Sequence, residues 1–137
     1  MNNHKIKEGL TSTYVKEAKT GDAMPVTGAA GILDYLVSTP AIFRMIIDAS
    51  SSMLDPLLEP DYVTVGKNVE LCHEKPTMID EVITIKLVVK KIDADRVYLE
   101  FTGHDSVGEI CKGKYERVIV DKHVLMENAF KRVGSSL

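Results

Sequence analysis

A chain of 137 residues is the size of one ordinary domain and can bury a core without disulfides or a structural metal. Its 45% hydrophobic and 27% charged residues are those of a globular protein. The net charge of -3, with no dense basic stripe, argues against a nucleic-acid binder, because phosphate contacts need clustered Lys and Arg.

Residues 1–137 read as a single domain with no internal repeat. Met1 to Leu10 is polar and charged, without the apolar core of a signal peptide. No apolar run approaches the ~20 residues of a membrane span. Cys72 and Cys111 give neither a zinc pattern nor a disulfide framework, so a reducing, cytoplasmic setting is the simpler expectation.

Gly9 to Lys16 reads as a first strand, and Thr20 to Gly31, rich in Gly, Ala and Thr, as an irregular loop. A helix follows. Thr39 before Pro40 suits an N-cap with proline at the first helical position. Ile42, Phe43, Met45, Ile46, Ile47, Ala49, Met53 and Leu54 cover a broad apolar arc, with Arg44, Asp48, Ser51 and Asp55 opposite. Pro56 and Pro60 bracket its end. Tyr62 to Cys72, Ile83 to Val89, Val97 to Thr102 and Ile110 to Val120 read as strands, the second with a clear period of two. Asp93-Ala94-Asp95 and Gly103 to Gly108 read as turns. Lys122 to Arg132 reads as a short amphipathic helix. The last four strands, joined by tight turns, predict an antiparallel meander. The class is α+β. One helix laid in a curved antiparallel sheet is the hot-dog arrangement, and a homodimer would cover the sheet's edge.

Several residues can carry chemistry. His73 ends a strand beside the turn Glu74-Lys75-Pro76, where a neutral imidazole can act as base or orient water. The plainer account is a solvated turn histidine. The Thr39 hydroxyl can cap the helix, and the helix-start amides can stabilise a developing oxyanion. Asp48 stands four residues from Arg44, the spacing of a helix ion pair. Ser50-Ser51-Ser52 lacks the glycines of a nucleophile elbow. His104-Asp105 is explained by turn chemistry. Cys72 and His73 are strand neighbours and point to opposite faces.

Val65-Gly66-Lys67-Asn68-Val69-Glu70-Leu71-Cys72-His73, followed by Pro76, resembles the glycine-to-histidine strand of the fluoroacetyl-CoA thioesterase family. Gly103-His104-Asp105-Ser106-Val107-Gly108-Glu109-Ile110, continuing through Gly113 to Glu116-Arg117, resembles that family's second signature. Ser38-Thr39-Pro40-Ala41 and Leu58-Glu59-Pro60 resemble the ends of its central helix. The resemblance runs from about Leu10 to Arg132. It implies a hot-dog dimer with a thioester site at the subunit interface, where a Thr, a Glu and a His act together. Thr39 matches the threonine, His73 the histidine, and Gly66 a glycine whose backbone lies near the acyl group. Ala30 to Leu36, with Leu33, Tyr35 and Leu36, corresponds to the lid shaping acyl selectivity.

Ile47 stands where the glutamate belongs, and Asp48 is one residue later. Without a helical bulge Asp48 is turned by ~100° from the required direction. Three routes stay open: His73 with water and no helical carboxylate, Asp48 as the acid, or binding without hydrolysis. The expected activity is hydrolysis of a small or medium acyl-CoA, with Leu33, Leu36, Ile47 and Gly66 lining the acyl site. Lys112 and Lys114 are candidates for the CoA phosphates. A non-catalytic acyl-CoA-binding module is the rival, and a hot-dog hydratase ranks below both. The expected partners are acyl-CoA and a second copy of the chain, with no cofactor, metal, nucleic acid or membrane.

Overall fold

The computed structural model describes residues 4–23 and 31–134. It contains β1 (Thr11–Glu17), α1 (Thr39–Leu54), β2 (Tyr62–His73), β3 (Val82–Asp93), β4 (Arg96–His104), β5 (Glu109–Asp121) and α2 (Lys122–Arg132). The strands form one antiparallel sheet in the order β1-β3-β4-β5-β2. This is the hot-dog arrangement, an α+β fold with α1 as its central helix.

The alternation read in the sequence becomes the core. Ile83, Ile85, Leu87 and Val89 on β3 and Val97, Leu99 and Phe101 on β4 are all at most 3% exposed. They meet Ile42, Met45, Ile46, Ala49 and Leu54 of α1 in one cluster. Each such large side chain contributes roughly 1.5–3 kcal/mol by leaving water. Between β3 and β4 a two-residue turn places Ala94 at φ 55, a left-handed conformation that costs alanine more than glycine.

The expected four-strand meander is corrected. Only β3, β4 and β5 follow one another, while β2 pairs with β5 at the far edge of the sheet. The connection of residues 74–81 is too long for a tight hairpin and crosses the end of the sheet. It is fastened on the way: Val37 N–H donates to Thr77 O, and the buried Thr77 hydroxyl donates to Asp105. Partial burial pushes the Asp105 carboxyl up. Bonds from Thr77, Val107 and Gly108 outweigh that effect and hold it below its ordinary range.

Smaller boundaries also move. The first strand starts at Thr11, because Gly9 turns the chain at φ 89. His104 belongs to β4 rather than to the turn, which begins at Asp105. Of the loop Thr20 to Gly31, residues 24–30 lie outside the described residues. In α2, capped by Asp121, no residue is buried, and Val124, Leu125 and Met126 are exposed, so the expected apolar face is not packed within the chain.

Candidate active site

The start of α1 divides its duties differently from the sequence expectation. Ser38, not Thr39, is the N-cap: its Oγ accepts from the Ala41 N–H at 3.1 Å. Thr39 and Pro40 are the first helical residues. One residue of offset matters, because a threonine used as the cap would have its hydroxyl occupied by the backbone. The amides available at this end are also fewer than expected. Pro40 has no N–H. The N–H groups of Ala41 and Ile42 are held by Ser38, leaving that of Thr39. Replacing Ser38 with alanine is expected to cost about 1 kcal/mol, read as a lower melting temperature. Thr39→Ala, by contrast, leaves the cap intact and should leave the melting temperature nearly unchanged.

The Thr39 hydroxyl meets His73, the last residue of β2. Thr39 Oγ1 and His73 Nδ1 lie 2.7 Å apart. The tautomer sets the direction of that bond. With the proton on Nε2, Nδ1 accepts from the threonine hydroxyl and polarises it. With the proton on Nδ1, Nε2 becomes the basic nitrogen. Nε2 is buried and has no partner among the described residues, whereas Thr39 is exposed. Both residues line a hollow of about 420 Å³ with Leu33, Leu36, Val37, Ser38, Glu74 and Lys75. Leu33 and Leu36, expected at the lid, thus share one hollow with the pair. Ala30 lies outside the described residues, and Tyr35 is exposed on an adjoining patch with Ile32 and Met78.

Ile47 and Gly66 line a second hollow, with Phe43, Tyr115 and Arg117. Thr39, Phe43 and Ile47 are spaced by fours and so follow one strip of α1. Gly66 and His73 face the same side of β2 because the register shifts between Gly66 and Asn68: Gly66 pairs with Arg117 and His73 with Cys111, both inward-facing on β5. Asp48 is not brought to either hollow. α1 is continuous α-helix without a bulge, and the Asp48 carboxylate accepts from Arg44 Nε at 3.4 Å on the exposed side.

Two residues with no role in the sequence reading shape this second hollow. Arg117 is 3% exposed and donates to Thr64 Oγ1, Thr64 O, Ser51 Oγ and Tyr115 Oη. Its nearest carboxylate link is indirect, through the Thr64 hydroxyl, which donates to Asp55. The sequence carried a signal for it: Tyr115, Arg117 and Ile119 share the inward phase of β5, so the charge falls on a buried position.

A broad concavity of about 960 Å³ lies on the outer face of the sheet, lined by Thr13, Lys86, Thr102, Lys112, Lys114 and Cys72 among others. Lys112 pairs with Cys72 on this face, while the next residue, His73, points inward, so Lys112 and Lys114 lie across the sheet from the Thr39–His73 pair. Burial, followed by the Glu109 charge, pushes the Cys111 thiol up to about 11. At neutral pH it is a protonated core residue, not a nucleophile. Among the described residues no group of three or more His, Cys, Asp and Glu could hold a metal ion. No described helix is long and apolar enough to cross a membrane.

A family model described as FlK, fluoroacetyl-CoA-specific thioesterase, matches residues 15–123. The chain belongs to this family. The match contains both Thr39 and His73. Among solved structures, a hot-dog-like protein from Thermanaerovibrio acidaminovorans is 26% identical, with 94% of each chain covered and a TM-score of 0.84. A thioesterase superfamily member from Thermus thermophilus is 20% identical over 94% of this chain and 93% of its own, with a TM-score of 0.81. A mutant of the fluoroacetyl-CoA-specific thioesterase FlK, in complex with fluoroacetate and CoA, is 18% identical over 88% of this chain and 99% of its own, with a TM-score of 0.81. No curated protein sequence matches the chain. Membership of the family supports thioester hydrolysis as the general activity.

Proposed function

We propose that this protein hydrolyses a small or medium acyl-CoA thioester, with Thr39 and His73 as its catalytic residues. The observation that carries the reading is the 2.7 Å bond between an exposed Thr39 hydroxyl and His73 Nδ1 in a hollow at the start of α1. His73 Nδ1 takes the hydroxyl proton as Thr39 Oγ1 attacks the thioester carbonyl carbon. The carbonyl oxygen becomes an oxyanion facing the Thr39 N–H and the positive end of the helix. The carbon–sulfur bond then breaks, and the CoA sulfur leaves with the proton from His73. Water, deprotonated by His73, cleaves the threonyl ester and releases the free acid. Asp48 has no part in these steps, because its carboxylate is committed to Arg44. Leu33 and Leu36 border the reacting carbonyl, and Ile47 and Gly66 lie in the hollow that takes the acyl group. Lys75, in the same hollow as the pair, is the cation placed to meet a CoA phosphate.

A homodimer belongs to this proposal. β2 pairs with β5 on one side, its other edge meets no described strand, and the stretch from Gly66 to Glu70 is exposed. A second copy covers such an edge without a new element. It would also bring the two hollows of neighbouring subunits close together.

One observation favours a second reading, a module that binds acyl-CoA without cleaving it. Ile47 occupies the resemblance's glutamate position and can neither orient water nor take a proton. Thiol release from short, medium, long and aryl acyl-CoAs separates the two. Turnover by the wild type is the expected result. Intact ligand recovered from a stable complex, without turnover on any of them, would replace hydrolysis with binding.

A further inference from the structure

Among the polar groups that line the hollow between α1 and β2, and that the mechanism above does not use, is the Tyr115 phenol. The Tyr115 ring packs edge-on against Phe43, with centroids 5.5 Å apart and planes at 74°. The Arg117 guanidinium lies 5.4 Å from the ring centroid and donates through Nη1 to the phenol oxygen at 3.0 Å. These two contacts fix the phenol in one place. That place is above Gly66: a Cβ there would collide with the Tyr115 hydroxyl, whose ring carbons would stand 3.2 and 3.3 Å away. Gly66 is the residue whose missing side chain makes room for the phenol.

The hydrogen-bond arithmetic then becomes specific. The phenol oxygen has one donor and acceptor capacity. Arg117 uses the acceptor side. No described residue accepts the Tyr115 proton. A donor polarised by a buried cation, with its own proton unused, is bordered by the apolar Phe43 and Ile47. A purely hydrocarbon ligand in this hollow would leave that donor unpaired at a cost, whereas a ligand with an oxygen at this point would satisfy it.

We propose that Tyr115 is the specificity-determining residue of the acyl site and selects acyl groups bearing a hydroxyl, keto or carboxylate oxygen over hydrocarbon chains of the same length. This rests on the reading that the protein acts on acyl-CoA. It adds a ligand chemistry that the Thr39–His73 pair does not specify. The buried positive charge behind the phenol strengthens its donor and makes a negatively charged acceptor the best match.

The test uses the full chain and length-matched pairs: 3-hydroxybutyryl- against butyryl-CoA, 6-hydroxyhexanoyl- against hexanoyl-CoA, and succinyl- against butyryl-CoA. The wild type is expected to favour the oxygenated member of at least one pair by about tenfold in kcat/KM. Tyr115→Phe should abolish that ratio by lowering kcat/KM on the oxygenated member about tenfold more than on the hydrocarbon member. A uniform loss on both members would mean a structural role only and would overturn the proposal. So would a wild type that treats every pair alike, a result that needs no variant to fold. Turnover without preference sinks this inference and spares the thioesterase reading. Neither turnover nor binding on any acyl-CoA sinks both.

Discussion

Replacing His73 with alanine is expected to lower kcat for thioester hydrolysis at least a hundredfold, with the melting temperature nearly unchanged. General-base catalysis by a placed side chain is worth roughly 10² to 10⁴ in rate. His73 makes one side-chain bond, to Thr39, and sits half-buried at a strand end, so its loss opens no core cavity. The informative comparison is the double variant. Thr39 and His73 act as one unit in the proposed mechanism, so removing both should cost little more than removing either. Steady-state kinetics on the three variants reads this directly. Two large losses that multiply in the double variant would mean that the two residues act independently, and the shared hydrogen bond would not be the working element. Incubation of the wild type with substrate, followed by acid quench and mass measurement, should also reveal acyl-Thr39 if breakdown of the ester is slow.

The second large effect concerns the sheet rather than the chemistry. Gly113 on β5 lies between Phe101 of β4 and Leu71 of β2. A Cβ at Gly113 would overlap the backbone carbonyl oxygen of Glu70 and press on the Phe101 ring at 2.6 Å. A backbone atom cannot rotate away as a side-chain end can. Gly113→Ala must therefore push β2 off β5, at a cost of ~3 kcal/mol. For a chain of this length that is a fall of about 10 °C in melting temperature. Gly108→Ala is the control, since nothing lies within 4 Å of its Cβ. Equal melting temperatures for the two variants would show that β2 and β5 do not approach as closely as described. Because β2 also carries His73, the Gly113 variant should lose activity out of proportion to its remaining folded fraction.

The strands and helices were readable because their signals are local. Ile83 to Val89 alternates in the sequence and alternates in burial. The limits of α2 also agree with the reading, because Asp121 and the following residues carry their own start signal. The order of the strands was not local. Nothing in Tyr62 to His73 says that its partner is β5 rather than β3, since pairing is set by how residues 74–81 cross the sheet end and by the side chains that meet there. The site shows the same division. Thr39 and His73 were each visible, yet their bond depends on Ser38 taking the cap, a competition between adjacent hydroxyls that residue type alone does not decide. Tyr115 was missed because an aromatic on an inward strand position reads as core. Only its approach to Gly66 and Arg117 gives it another role.

Thr39 and His73 are 34 positions apart, and the strand bearing the histidine pairs with one whose residues lie up to 59 positions further along (Tyr62 with Asp121). Contacts of such separation are the slow ones to form, because the entropy of closing the intervening loops is lost before any of them is made. Helix α1 and the β3–β4 hairpin can therefore take shape early, while the hydroxyl and imidazole meet only when the last edge of the sheet is laid down. Recovery of turnover on refolding should lag behind recovery of helical signal. A chain caught partway would lack the proposed hydrolytic pair.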